Sequence, residues 1–163
     1  MTDPRFERIV RTFGDSLARL AWGYADTPAD RDDLMQDILL AIWQALPRFR
    51  GESSERTFVF RIAHNRGCTF LARRRPHEPL ASDARIPDPR PGHETTLDSD
   101  RRRAQLVAAI RTLPEAQRQA VLLRLEGLEL HEIAALQGTS ENTVSVRLTR
   151  ARDRLRELVS GGD

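Results

Sequence analysis

The 163-residue sequence has one cysteine, one tyrosine, no lysine and no long apolar run, and each scarcity excludes something. Cys68 alone cannot close an internal disulfide, so no covalent framework holds the fold. The longest apolar stretch, Ile38 to Trp43, falls far short of the roughly 20 residues that span a bilayer, so no membrane insertion is expected. The first twenty residues carry Asp3, Arg5, Glu7, Arg8, Arg11 and Asp15 where a secretory leader would need an apolar core, and the expected location is the cytoplasm. Nothing resembles the alternating Val, Ile and Thr of a strand. There is also no phosphate-binding glycine loop, no nucleophile triad and no credible metal cluster, which argues against an enzyme, a cofactor and a small-molecule substrate. His64 and Cys68, at i and i+4, come nearest to a metal or redox pair, but no further Cys or nearby His completes it, and no metal site is expected.

What is present is arginine. All 26 basic residues are Arg, against 24 acids, and the net charge of +2 hides strong segregation. Residues 1 to 60 hold 8 Arg and 10 acids, 61 to 75 hold 5 Arg and none, 76 to 100 hold 2 Arg and 6 acids, and 101 to 163 hold 11 Arg and 8 acids. Two separated basic regions point to two contacts with one long polyanion. Arg73 to Arg75 or Arg101 to Arg103, taken alone, read as solvated helix faces.

Five of the nine prolines (Pro76, Pro79, Pro87, Pro89, Pro91) lie within sixteen residues that hold almost no large apolar side chain, and Gly92 follows at once. This marks a flexible Pro-rich linker over 76–98. The expected fold is all-α, with a small helical domain on either side, 1–75 and 99–163. Asp3-Pro4 and Thr27-Pro28 each place proline at the first helical position behind a capping side chain, predicting helices to about Tyr24 and Leu46. Pro47 and Gly51 break the chain, and Ser53 or Ser54 caps a third helix to about Arg74. On that helix Val59, Ala63 and Phe70 share a face with Phe58 and Ile62 adjoining, while Arg61, Asn65 and Arg66 project elsewhere. Gly67 costs the helix roughly 1 kcal/mol relative to alanine and so marks close packing. After the linker, Asp98 or Ser99 caps a helix to about Thr112, and Pro114 starts another to about Glu126. A short helix over 129–137 and a last one over 141–159 follow, the last with the apolar stripe Val144, Leu148, Ala151, Leu155 and Leu158.

Ile133, Ala134, Gly138 and Val144 have the spacing of a helix-turn-helix. Small Ala134 lets the helices approach, Gly138 supplies the turn, and Val144 locks the second helix, presenting its N-terminal part to a DNA major groove. Glu141, Asn142, Ser145, Val146 and Thr149 are then placed for bases, and Arg147, Arg150 and Arg152 for phosphates or guanine edges. Gln137 and Thr139 flank the turn where such motifs usually have apolar residues.

The stretch Leu113 to Leu155 resembles region 4 of the extracytoplasmic function (ECF) sigma factors. The resemblance is carried by Leu113-Pro114, Arg118, Gly127, Glu132-Ile133-Ala134, Thr143-Val144, Arg147-Leu148 and Arg150-Ala151-Arg152. Asp30 to Arg75 independently resembles region 2 through Asp33-Leu34, Gln36-Asp37, Trp43, Arg48-Phe49-Arg50-Gly51, Ser53-Ser54, Phe58, Arg61-Ile62-Ala63 and Asn65. Glu129 stands where a Ser or Thr cap is usual, and Phe58 where tryptophan is common. The resemblance implies a protein without catalytic activity that binds core RNA polymerase, directs it to promoter DNA and helps melt the minus-10 element. It places Asp33, Leu34, Gln36 and Asp37 on the polymerase clamp helices. Read from their position at the helix start, Asp30 and Asp32 are instead expected to stay hydrated and complement the helix dipole. It assigns Arg48, Arg50, Ser53, Ser54, Arg61, Asn65 and Arg66 to the minus-10 strand. Ser140, Glu141, Asn142, Thr143, Ser145, Val146, Arg147, Thr149 and Arg150 fall to the minus-35 duplex. Phe49, Phe58 and Phe60 are possible stacking platforms for bases, although helical spacing favours core packing for Phe58 and Phe60. An anti-sigma partner is also implied.

A flexible coil of the linker's length has a root-mean-square span of about 25 to 30 Å and an extended limit of about 80 Å, enough for two modules to sit on promoter elements more than one helical turn apart. The competing reading is a free-standing helix-turn-helix regulator, which leaves the match over Asp30 to Arg75 without a purpose.

Overall fold

A computed structural model describes residues 3–74 and 97–161. These form two compact helical units, 3–74 in one and 97–161 in the other, with no strand among the described residues. The expected linker lies outside the described residues except for Leu97 and Asp98, which already belong to a helix.

The first unit packs α1 (Pro4–Tyr24), α2 (Pro28–Ala45) and α3 (Glu55–Arg74) mutually, with a single 3₁₀ turn at Leu46–Arg48 where Pro47 ends the second helix. The starts follow from local chemistry. Asp3 accepts the Arg5 amide at 2.8 Å, Thr27 accepts the Asp30 amide at 3.1 Å, and proline occupies the first turn of both helices. Ser54, rather than Ser53, caps α3, its Oγ accepting the Thr57 amide at 3.0 Å. Ile9, Leu17, Leu20, Leu34, Ile38, Ile42, Leu46, Val59 and Phe60 fill the core. Phe60 meets Phe13 edge-on, with ring centroids 6.3 Å apart.

The buried face of α3 keeps Val59 and Ala63 from the expected one and differs beyond them. It runs through Val59, Phe60, Ala63, His64 and Gly67, whereas Phe58 and Phe70 are only half-buried. Tyr24, at the end of α1, explains the rotation. Its hydroxyl lies 3.0 Å from His64 Nδ1, so a buried histidine is hydrogen-bonded, and His64 Nε2 lies 3.5 Å from Cys68 Sγ. A Cβ on Gly67 would lie 2.7 to 2.8 Å from three carbons of the Tyr24 ring. Gly67→Ala is therefore expected to destabilise the unit by about 1 to 3 kcal/mol in urea unfolding despite alanine's better helix propensity. Gly14→Ala, whose Cβ would meet only Val10 at 4.0 Å, should instead stabilise α1 by roughly 0.5 to 1 kcal/mol.

Ion pairs join the helix ends. Arg74 grips Asp30 with both prongs of its guanidinium and covers the Phe70 ring at 4.6 Å. Asp30, expected to be hydrated at a helix start, is thus a tie between α2 and α3, and Arg74 is not merely a solvated charge. Arg8 bridges α1 to Glu55 at 2.6 Å.

The second unit contains α4 (Leu97–Arg111), α5 (Glu115–Leu125), α6 (Leu130–Gln137) and α7 (Glu141–Ser160). The first of these begins at Leu97, so Asp98 lies in its first turn instead of capping it, where its charge complements the helix dipole. Ile110, Leu113, Ala120, Leu123, Leu128, Ile133, Val144 and Ala151 make the core. Of the stripe expected on α7, Val144 and Ala151 are buried, Leu148 and Leu155 are half-buried, and Leu158 is exposed.

Candidate functional site

Three surfaces carry the residues that sequence reasoning singled out. The first is the outer face of α2. Asp33 and Gln36 are exposed, and Asp37 is partly exposed with its carboxylate 3.8 Å from Arg66 of α3. Leu34 does not join them, since it is 1% exposed and lies in the helical core. Its expected place on a partner-facing surface is corrected: one residue along a helix turns the side chain by about 100°, which carries Leu34 inward while Asp33 stays outside. Leu40 and Trp43, by contrast, are 52% and 51% exposed. They continue the row Asp33, Gln36 at helical spacing, so the face is an apolar pair bordered by acid and amide groups. The available signal was the run Ile38 to Trp43, six apolar residues in succession, more than one buried helix face can take in.

The second surface joins the loop after the 3₁₀ turn to the outer side of α3. Arg48 and Arg50 are exposed, Ser53 is half-exposed, and Gly51 turns the loop at φ 77°. Ser54 is exposed, but its Oγ is engaged in the cap. Phe49 stacks on Phe58 with centroids 4.4 Å apart and planes 27° from parallel. This pair stands at the rim of the unit, while Phe60 is buried and unavailable to a base. Arg61 and Asn65 are exposed one helical turn apart, Arg66 is half-exposed, and Thr69, which the sequence reading passed over, extends the row. The Thr69 hydroxyl donates to the Asn65 carbonyl at 3.0 Å.

The third surface is the start of α7. Gly138 adopts the left-handed conformation, φ 64° and ψ 38°, and the Gly138 and Thr139 amides both return to the Ala134 carbonyl, which closes α6 in a two-bond turn. Glu132 accepts the Glu129 amide at 2.6 Å, so the unusual Glu129 cap is completed from the helix side. Ser140 Oγ accepts the Thr143 amide at 3.1 Å and lies 2.9 Å from Thr143 Oγ1, leaving these two hydroxyls engaged with each other at the cap. With Val144 fully buried beneath, Glu141, Asn142, Ser145, Val146, Thr149 and Arg150 are exposed along the outer side of the helix. Arg147 differs from them. It is half-buried, and its Nη1 donates to Gln137 Oε1 at 2.9 Å.

Exposed hydrogen-bonding groups near a helix start, with arginines behind them, are suited to base edges and phosphates. Among the described residues, no group of three or more His, Cys, Asp or Glu is arranged to hold a metal ion, and no helix is long and apolar enough to cross a membrane.

Comparison with known proteins matches both units. Residues 9–77 match the family model for Sigma-70 region 2, and residues 103–155 match that for Sigma-70, region 4. The chain is 34% identical over 162 residues to the RNA polymerase sigma-E factor of Streptomyces antibioticus, covering 97% of this chain and 86% of that one. It is 30% identical over 164 residues to the ECF RNA polymerase sigma-E factor of Escherichia coli K12, covering 91% and 83%. Among solved structures, CnrH in complex with the cytosolic domain of CnrY superposes with a TM-score of 0.71 at 25% identity, over 99% of this chain and 92% of that one.

Proposed function

The chain belongs to the extracytoplasmic function sigma factors of the sigma-70 family, and from that membership we propose how its two units share the work. The protein is an alternative sigma factor, which binds core RNA polymerase and directs promoter-specific transcription initiation. Sigma factors are initiation factors rather than enzymes, and we read no catalytic residue in this chain.

In our reading, residues 1–75 hold the polymerase and handle the minus-10 element, and residues 99–163 read the minus-35 duplex. The polymerase rests on Asp33, Gln36, Leu40 and Trp43. Arg48, Arg50, Ser53, Arg61, Asn65 and Arg66 follow the melted strand, and Glu141, Asn142, Ser145, Val146, Arg147, Thr149 and Arg150 face the duplex. The observation that carries the division is that each unit buries its own core and still leaves a polar or basic helix face outward: Arg61 and Asn65 on α3, and Asn142, Ser145, Thr149 and Arg150 on α7. A free-standing regulator would need only the second of these faces. It would leave the match over residues 9–77 without a purpose.

We place the protein in the cytoplasm, where core polymerase and promoters are, and we include an anti-sigma factor among its partners. CnrH, solved with the cytosolic domain of a second protein, supports the latter. Transcription reconstituted from core polymerase and this chain tests the division. Residues 99–163 alone should bind duplex DNA weakly and start no transcripts, and the full chain should start them from discrete sites. Initiation supported by residues 99–163 without residues 1–75 would overturn it.

A further inference from the structure

Gln137, the last residue of α6, stands at a position in the turn where an apolar residue is usual, and its amide touches both other helices of the motif's support. Its Nε2 donates to the Ala116 carbonyl in the first turn of α5 at 3.0 Å, and its Oε1 accepts from Arg147 Nη1 in the second turn of α7 at 2.9 Å. Only one orientation of the amide satisfies both partners. A flipped amide would set an N–H donor against the guanidinium, which has donors only, and a carbonyl oxygen against a carbonyl oxygen.

The consequence for Arg147 is specific. A free arginine on a helix surface samples many rotamers and loses that freedom when it binds. Held by one N–H and half-buried against its own unit, the guanidinium has fewer orientations open to it, and its other N–H groups form a planar fork suited to guanine or phosphate. A carboxylate at 137 could accept from the arginine but would neutralise it, weaken its attraction for DNA and bring no donor for the Ala116 carbonyl. A neutral amide, itself anchored to the α5 backbone, orients the charge and leaves it whole.

We propose that Gln137 is a positioning residue for promoter reading, which acts through Arg147 by presenting its guanidinium to DNA in one orientation without neutralising it. This rests on the reading of α7 as the minus-35 helix. The test uses the full chain assembled with core RNA polymerase and a pool of short DNA duplexes with a randomised centre. The readout is the affinity ratio between the selected sequence and a scrambled duplex, together with the salt dependence of each.

Gln137→Met keeps the length and packing of the side chain but removes both hydrogen bonds. It should lower the ratio by roughly fivefold or more, the size of one weakened base contact, while affinity for the scrambled duplex and its salt slope stay unchanged. Gln137→Glu should weaken binding to both duplexes and reduce the salt slope by about 1, because Arg147 is then paired within the protein. On an Arg147→Ala background, Gln137→Met should have no further effect. An equal loss of discrimination with and without Arg147 would overturn the proposal and leave the minus-35 reading standing, since Gln137 would then act on the fold alone. A ratio untouched by Arg147→Ala would overturn the proposal alone, because the arginine would then read no sequence, while the minus-35 reading would stay with Asn142, Ser145 and Thr149; loss of all discrimination by the full chain between the two duplexes would overturn that reading.

Discussion

A chain carrying Asp33→Arg and Trp43→Ala should lose capture of core RNA polymerase by about a hundredfold or more while keeping its helical content and unfolding transition. Truncating a well-placed interface aromatic commonly costs about 2 kcal/mol or more, and each 1.4 kcal/mol is tenfold in affinity. Reversing the charge of Asp33 would set like against like on the basic partner face that this docking proposal requires. Neither substitution empties the core, because both side chains lie on the outer face of α2. Leu34→Ala should show the opposite pattern. With its side chain 1% exposed in the core, its loss should cost about 2 to 5 kcal/mol of stability, and polymerase binding should fall only as far as the folded fraction does. Measuring pull-down affinity and urea unfolding on the same preparations separates the two. If Asp33→Arg with Trp43→Ala binds core polymerase as the parent chain does, α2 is not the docking face.

The contrast between Leu34 and its neighbours also shows where legibility ended. Helix starts could be read because their determinants are local: Asp3 before Pro4, Thr27 before Pro28, and Ser140 three residues before the amide it accepts. The turn at Gly138 was legible for the same reason, since a left-handed residue is a property of one position. Adjacent apolar residues were harder. Phe58 and Phe60 both fit a helical core pattern, and the choice between them was made by Phe13, which takes the edge of Phe60, and by Phe49, which holds Phe58 at the rim. Both partners come from other segments of the chain. Gln137 was noticed only as a departure from an apolar norm, because what it does depends on Ala116, 21 residues earlier, and Arg147, 10 residues later. The i, i+4 spacing of His64 and Cys68 suggests only an incomplete metal or redox pair, because the tyrosine hydroxyl that meets His64 lies 40 residues from the histidine.

Duplex binding and strand opening should come apart under mutation, with Arg150→Ala and Asn65→Ala as the informative pair. Arg150 is exposed on α7, and Asn65 is exposed on α3 one turn after Arg61. Removing Arg150 should weaken closed-complex formation. If it touches a phosphate, the loss is nearly uniform over sequences and the salt slope falls by about 1; if it pairs with a guanine, the cost is about 1 to 3 kcal/mol at one position. Once DNA is bound, opening should proceed at the parent rate. Asn65→Ala should leave closed-complex affinity nearly unchanged and reduce opening at least severalfold, because the contacts proposed for it form with bases that have left the stack and would offset the unpairing energy of a few kcal/mol. Filter binding reports the first quantity and permanganate reactivity of unpaired thymines the second. The order of events makes the separation necessary: an interaction made only after melting cannot contribute to affinity for a duplex, and one already complete in the closed complex cannot favour the open one. If Arg150→Ala slows opening of pre-bound complexes as much as Asn65→Ala does, duplex reading and melting are not divided between the two units.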